Sequence, residues 1–188
     1  MKIKALLYCT KNKMNLRKSI KDKCYYLDNG SEFNIIPDED YALNGKIVAE
    51  CDYEVEKIRT YLDNCYDTKT LGGFALQSRS CLNAIELDNY LKGKNGKAIY
   101  IKNLHIFDKP KELSECHKKY GGKNYFPISY MPITAAPQNM IKVWLYENGK
   151  WVMYILISIQ PQWMCKILNG EKDVEVRKVV LKEMLSNE

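Results

Sequence analysis

The chain has 188 residues, 46% hydrophobic and 28% charged with 10 Gly and 6 Pro, which is enough apolar content for the core of one compact domain. That composition excludes collagen-like, low-complexity and wholly disordered chains, and no apolar run approaches the ~20 residues of a membrane helix. Its 29 Lys and Arg against 23 Asp and Glu leave a net charge of +6, which suits a polyanionic partner and equally an ordinary basic domain.

Met1 to Thr10 carries only a short apolar stretch and no small-residue cleavage site. No signal peptide is therefore predicted, and the expectation is a cytoplasmic protein without a membrane partner. Ala5 to Cys9 reads as a buried strand. The basic run Lys11 to Lys23 reads as a short helix or a solvated loop. Cys24 to Leu27 is a strand entering a turn at Asp28-Asn29-Gly30, because Asn-Gly tolerates the positive φ of tight turns. Asn44-Gly45 is a second such turn and opens a strand over Lys46 to Val55 with one wet face. Leu82, Ile85, Leu87, Tyr90 and Leu91 recur at helical spacing, and Gly93 ends that run.

A strand resumes at Ala98 to Ile101 and continues through Leu104 to Phe107, until Asp108-Lys109-Pro110 breaks it. Tyr120 to Gln138, rich in Gly, Pro and Tyr, is expected to be irregular. Ile141 to Tyr146 forms a strand that Asn148-Gly149 turns into Trp151 to Ile159. Pro161 suits the first position of a helix running to Leu168 and closed by Asn169-Gly170. Lys172 to Arg177 alternates as a strand, and Val179 to Leu185 is a candidate last helix. Many short strands with two or three flanking helices predict a single α+β domain over 1–188, built on a small mixed or antiparallel β-barrel.

The seven cysteines are scattered, with no C-x-x-C pair. That spacing argues against a structural metal and fits small core hydrophobes in a reducing compartment. Cys116-His117 formally offers a thiol and an imidazole, but adjacent residues on one segment tend to point apart.

One segment carries chemistry: Gly170-Glu171-Lys172-Asp173-Val174-Glu175-Val176-Arg177. In a strand, Asp173, Glu175 and Arg177 share one face and Val174 and Val176 the other, with Lys172 at the entering turn. An Arg, a Lys and a carboxylate converging beside a helix end can hold a phosphate or polarise a carbonyl. An ordinary salt-bridged edge strand explains the same letters.

Ile157-Ser158-Ile159-Gln160-Pro161, Lys166 to Lys172 and Val174 to Lys178 resemble the signature of the ASCH domains, members of the PUA-like β-barrels. Leu43 to Glu50, Leu91 to Gly96, Lys102 to Glu115 and Ile133 to Gln138 also resemble ASCH proteins of bacteria and their phages. The signature strand–helix–strand, here at 155–178, stands first in that family and last in this chain. The resemblance therefore implies a circular permutant in which the tail completes a barrel begun by residues 1–146, because some 38 residues cannot bury a core alone. The join would lie at Tyr146 to Trp151, with Met1 and Glu188 close together. A monomer and a domain-swapped dimer are the two geometries this allows.

The family resemblance further implies binding of RNA, or of a nucleotide or nucleoside, in the cleft beside the signature. Lys172 and Arg177 would contact phosphate or base edges, Lys46 would join them from the adjacent strand, and Trp163 would stack on an unpaired base or else cover the barrel mouth. Small relatives are cytidine-deacetylating amidohydrolases that use a Lys, a Thr and a Glu, and ribonuclease activity has been suggested in the family. The Lys position falls on Lys172 and the Thr position on Glu175. As an enzyme, this chain would therefore use Glu175 as a general base with Lys172 and Arg177 stabilising negative charge. Gln160 stands where many members carry a Lys. No cofactor and no metal is implied.

Overall fold

The computed structural model describes residues 3–29, 41–62, 65–120, 124–127 and 140–180. In chain order the strands and helices are β1 Lys4–Cys9, β2 Asn15–Lys18, β3 Tyr25–Asp28, β4 Tyr41–Ala42, β5 Lys46–Leu62, β6 Cys65–Asp67, α1 Gly73–Ser80, α2 Ala84–Leu91, β7 Gly96–Glu112, β8 His117–Tyr120, β9 Asn124–Pro127, β10 Met140–Glu147, β11 Lys150–Ile159, α3 Pro161–Leu168 and β12 Val174–Arg177. The class is mixed α+β, mostly sheet with three α-helices among the described residues.

The main sheet runs β12-β7-β5-β1-β11-β10-β8-β9, with β6 as a side ribbon on β5 and a small sheet β3-β2-β4 apart from it. Its centre is the continuous apolar run predicted at the start of the chain. β1 pairs antiparallel with β5 and parallel with β11, so both of its edges are satisfied. Ala5, Leu7 and Cys9 enter one apolar cluster with Val48, Ile99, Ile155, Ile157 and Ile159, and α3 covers it with Met164, Ile167 and Leu168. Leu6 and Tyr8 enter a second cluster on the opposite face with Val143, Tyr154 and Leu156. A strand buried on both faces gains nothing from alternation, which explains its unbroken apolar sequence.

The last part of the described chain docks where the sequence requires: β11 lies between β1 and β10, and β12 adds to the free edge of β7. β12 and β9, the ends of the sheet path, do not pair among the described residues, so closure into a barrel ladder is not observed. The sheet nevertheless curls. β12 and β11 stand four places apart in the path, about 19 Å in a flat sheet, yet Arg177 Nη2 on β12 donates to Ser158 O on β11 at 2.7 Å. Under the β12 edge, α1 and α2 form a third cluster in which Leu76, Leu87 and Leu91 pack on Ala98, Tyr100, Val174 and Val176.

Several elements differ from the sequence reading. The basic run is neither helix nor simple loop: within it β2 pairs on both sides and sinks Leu16 completely, a long-range pairing that charge content cannot announce. β7 continues past Pro110 because its pairing with β5 jumps from Ile106 opposite Ala49 to Lys111 opposite Ile47. The proline thus falls in a bulge that asks for no ladder N–H. α1 was not foreseen, since its composition, Gly-Phe-Ala-Leu-Gln-Ser-Arg-Ser, lacks a clean apolar stripe. α2 stops at Lys92 in the left-handed conformation, one residue before the expected Gly93. The helix predicted from Pro161 to Leu168 is found with those bounds. The candidate last helix beyond Val180, most of the irregular stretch 120–138, Gly30, and the termini Met1 and Glu188 lie outside the described residues.

If the tail is integral to the core, Ile157→Ala, at 1% exposure, costs about 2–5 kcal/mol of unfolding free energy. Phe74→Ala, at 90% exposure, should stay within about 0.5 kcal/mol of wild type. Urea unfolding measures both, and equal small effects would mean the tail does not pack as described.

Candidate functional site

Two parallel strands, β1 and β11, end at the same edge of the sheet, and each hands over to a segment that borders one cavity. Thr10, directly after β1, donates its backbone N–H to Ile159 O at 2.9 Å. The Thr10–Asn12 loop and the first turn of α3 are thereby held side by side. Farther along the loop, Asn44 Oδ1 accepts from Leu16 N at 2.6 Å and Asn44 Nδ2 donates to Met14 O at 2.8 Å. The neighbouring Gly45 has φ +78°, and a Cβ there would stand 2.8 Å from Lys11 Cε, so the predicted Asn-Gly turn also seats Lys11.

Past the C-cap Asn169 of α3 the chain reverses at Gly170, φ +79°, with Gly170 N donating to Ile167 O and Glu171 N to Lys166 O. The reversal drops Lys172 under the end of α1. There its ammonium, on a side chain 2% exposed, donates to Ser80 O at 2.6 Å and Val174 O at 2.8 Å and lies 3.3 Å from Glu175 Oε2. Glu175 Oε1 lies 2.9 Å from Arg177 Nη2, so one carboxylate bridges two cations. Val174 and Val176 face the helices, leaving Glu175 and Arg177 on the other face as alternation predicts. Asp173 does not join them: it takes a bidentate pair from Arg79, with Nη2 to Oδ2 at 2.7 Å, outside the cavity lining.

The cavity measures about 510 Å³, within the ~300–1,000 Å³ range of small-ligand sites. Lys172, Glu175 and Arg177 line it together with Trp163 of α3 and Tyr90 of α2. The Trp163 ring is half-buried against the main core and carries the Lys172 ammonium 5.2 Å and the Lys166 ammonium 5.8 Å from its centroid. It therefore closes the sheet mouth and walls the cavity at once. Lys178 lies 5.1 Å from the Tyr90 ring. Within the lining, Arg177 Nε and Ser158 Oγ are buried without a hydrogen-bond partner, a costly state for groups that water or a ligand would satisfy. Burial raises the Tyr53 phenol above its ordinary value, and the nearby Arg177 charge opposes that rise.

Lys46 is the predicted site residue that stands apart. It does not line the cavity; its ammonium pairs with Glu112 at 2.5 Å on the β5–β7 ribbon. Thr10, Lys11, Asn12, Tyr90 and Ser158 belong to the cavity but were not singled out as site residues in the sequence. Only Ser158, inside the Ser-Ile-x-Pro stretch, and Lys11, within the basic run, gave any signal. Cys116 and His117 do point apart. The thiol is buried in the second cluster and pushed up to about 12 by loss of solvation, while the imidazole edge meets Trp151 at 5.2 Å. No cluster of three or more His, Cys, Asp or Glu among the described residues is placed to hold a metal ion, and no helix among them is long and apolar enough to cross a membrane. No family model, curated protein or solved structure matches the chain.

Two outcomes test this geometry. Cys9, Cys51 and Cys116, each pushed up to about 12, should resist iodoacetamide at pH 8 while exposed Cys24 reacts; rapid labelling of the buried three would contradict their placement. Lys172→Met should cost about 3 kcal/mol. In a double-mutant cycle, Lys172→Met with Glu175→Gln should recover about 1–3 kcal/mol of coupling, whereas strict additivity would deny the ion pair.

Proposed function

We propose that this chain is an ASCH-type, PUA-like domain, circularly permuted, whose basic cleft binds single-stranded RNA or a nucleotide. The observation that carries the reading is the convergence of Lys172, Glu175, Arg177 and Trp163 on one cavity, from three elements that follow one another in the chain. Guanidinium and ammonium groups beside aromatic walls are the combination that recognises an unpaired base and its backbone. The permutation is supported by the docking of β11, α3 and β12 into a sheet otherwise made by the preceding chain. The monomer and the domain-swapped dimer both keep β11 and β12 in the sheet, and size-exclusion chromatography with light scattering separates them. Curling of the sheet, with Arg177 tying β12 to β11, is compatible with a barrel-like ancestor.

Binding is favoured over turnover. Both Glu175 oxygens are engaged by cations, so neither is free to take a proton from water, and no alcohol occupies the position at which the amidohydrolase relatives carry Thr. The hydrolase reading keeps one point in its favour: a buried ammonium and a guanidinium beside a carboxylate could stabilise an oxyanion.

Fluorescence anisotropy with short single-stranded RNA at low salt tests the proposal. Arg177→Ala should weaken binding about tenfold and lower the salt slope by about one, and Trp163→Ala should weaken it by about 1–3 kcal/mol if its ring takes a base. Lys172→Ala should weaken binding a few-fold. Wild-type hydrolysis of acylated cytidine or RNA, abolished in Lys172→Ala, would instead establish the enzyme. Absence of both binding and turnover would defeat both readings.

A further inference from the structure

The cavity is not uniform, and its polarity identifies what one end should hold. At the end bordered by α3, the helix starts without a side-chain cap on Gln160, has Pro161 at its first position and carries no acidic residue in its first turn. The Trp163 and Met164 N–H groups both donate to Gln160 O, and Gln162 N has no hydrogen-bond partner among the described residues. A helix start in that state presents a positive dipole end and an unused donor. A second feature stands beside it: Ser158, two residues upstream and 3% exposed, lines the same cavity and leaves its Oγ without a partner. A third is Lys11 on the adjoining loop, exposed and without an ion pair among the described residues. Arg177 Nε is a further unsatisfied donor toward this lining.

Glu175, the only carboxylate in the lining among the described residues, is already bridged between Lys172 and Arg177. Lys11, Lys172 and Arg177 against that one acid leave the lining with an excess of two positive charges. The site also lies beyond the carboxyl ends of two adjacent parallel strands, where loops and helix starts converge on a ligand in open sheets. Trp163, in that same first turn, and Tyr90 of α2 add ring surface to the lining, with Lys172 and Lys166 near the Trp163 ring and Lys178 near the Tyr90 ring.

Resting on the binding reading above, we propose that the α3 end of this cavity is an anion subsite for the phosphomonoester of a single nucleotide, with its base against the Trp163–Tyr90 wall. The preferred ligand is then a mononucleotide, or the phosphorylated end of a strand, rather than a nucleoside or an internal stretch of RNA. The phosphate would accept from Lys11 Nζ, Ser158 Oγ and the first-turn N–H. Arg177 Nε would reach the phosphate or the sugar.

The test is calorimetric titration of the full chain at low salt with the four 5′-ribonucleoside monophosphates, the four nucleosides and inorganic phosphate. At least one monophosphate should bind ten times or more tighter than its nucleoside, and inorganic phosphate should compete with it. That preference should shrink at least fivefold in Lys11→Ala and in Ser158→Ala, both of which should melt like wild type, and it should fall as salt rises. Equal affinity for nucleoside and nucleotide, or a preference untouched by both substitutions, overturns the subsite. If single-stranded RNA or nucleosides still bind through Arg177 in that case, the broader reading survives alone. If no nucleoside, nucleotide or RNA binds wild type, both fall together.

Discussion

Glu175 is held between two cations that belong to different parts of the fold, and the arrangement of the tail depends on that bridge. One oxygen meets Lys172, delivered by the reversal after α3; the other meets Arg177, which reaches over to Ser158 O on β11. Taking these charges out of water costs several kcal/mol each, a penalty that is offset only when every partner is in place. Lys172 meets that condition with two backbone carbonyls as well as the carboxylate. The bridge thus ties the α1 terminus, α3, β12 and β11 into one arrangement, and loss of any member leaves a buried charge uncompensated.

The same arginine borders the cavity. Arg177 ties β12 to β11 across the strands between them, in a sheet that curls instead of spreading flat. Inside the curl, aliphatic side chains from β1, β5, β7 and β11 pack under α3. At the mouth, the core stops at Trp163, and polar groups begin. Two hydrogen-bonding groups remain unsatisfied there, Arg177 Nε and Ser158 Oγ. The fold thus fixes rigid charges and two unsatisfied hydrogen-bonding groups around the space left over.

Another cavity has a different character. It is lined around Tyr100, Glu56 and Thr70, where Glu56 Oε2 accepts from Tyr100 OH at 3.0 Å and from Thr70 Oγ1 at 2.8 Å. Burial works to raise the Glu56 carboxyl, but those hydrogen bonds prevail and lower it. Arg79 and Lys102 beside it are already paired with Asp173 and Glu54. Its polar groups satisfy one another, so this region reads as a brace between β5, β7 and the α1 approach rather than as a place for a ligand.

Local chemistry was legible from the letters. The apolar run at Ala5 to Cys9, the Asn-Gly turns at 44–45 and 148–149, the Pro161 helix start and the alternation of β12 each depend on contacts within a few residues, so the sequence by itself determined them. It also determined that the tail must dock, since too few residues remain to form a core. What only the tertiary structure decided were the long-range pairings. They turned part of a basic run into β2, kept β7 going past Pro110, sent Lys46 to Glu112 and Asp173 to Arg79, and brought Lys11, Tyr90 and Ser158 to the cavity beside Arg177. A side chain's partner across the sheet is set by register and curl, properties of the whole folded chain that no local spacing encodes.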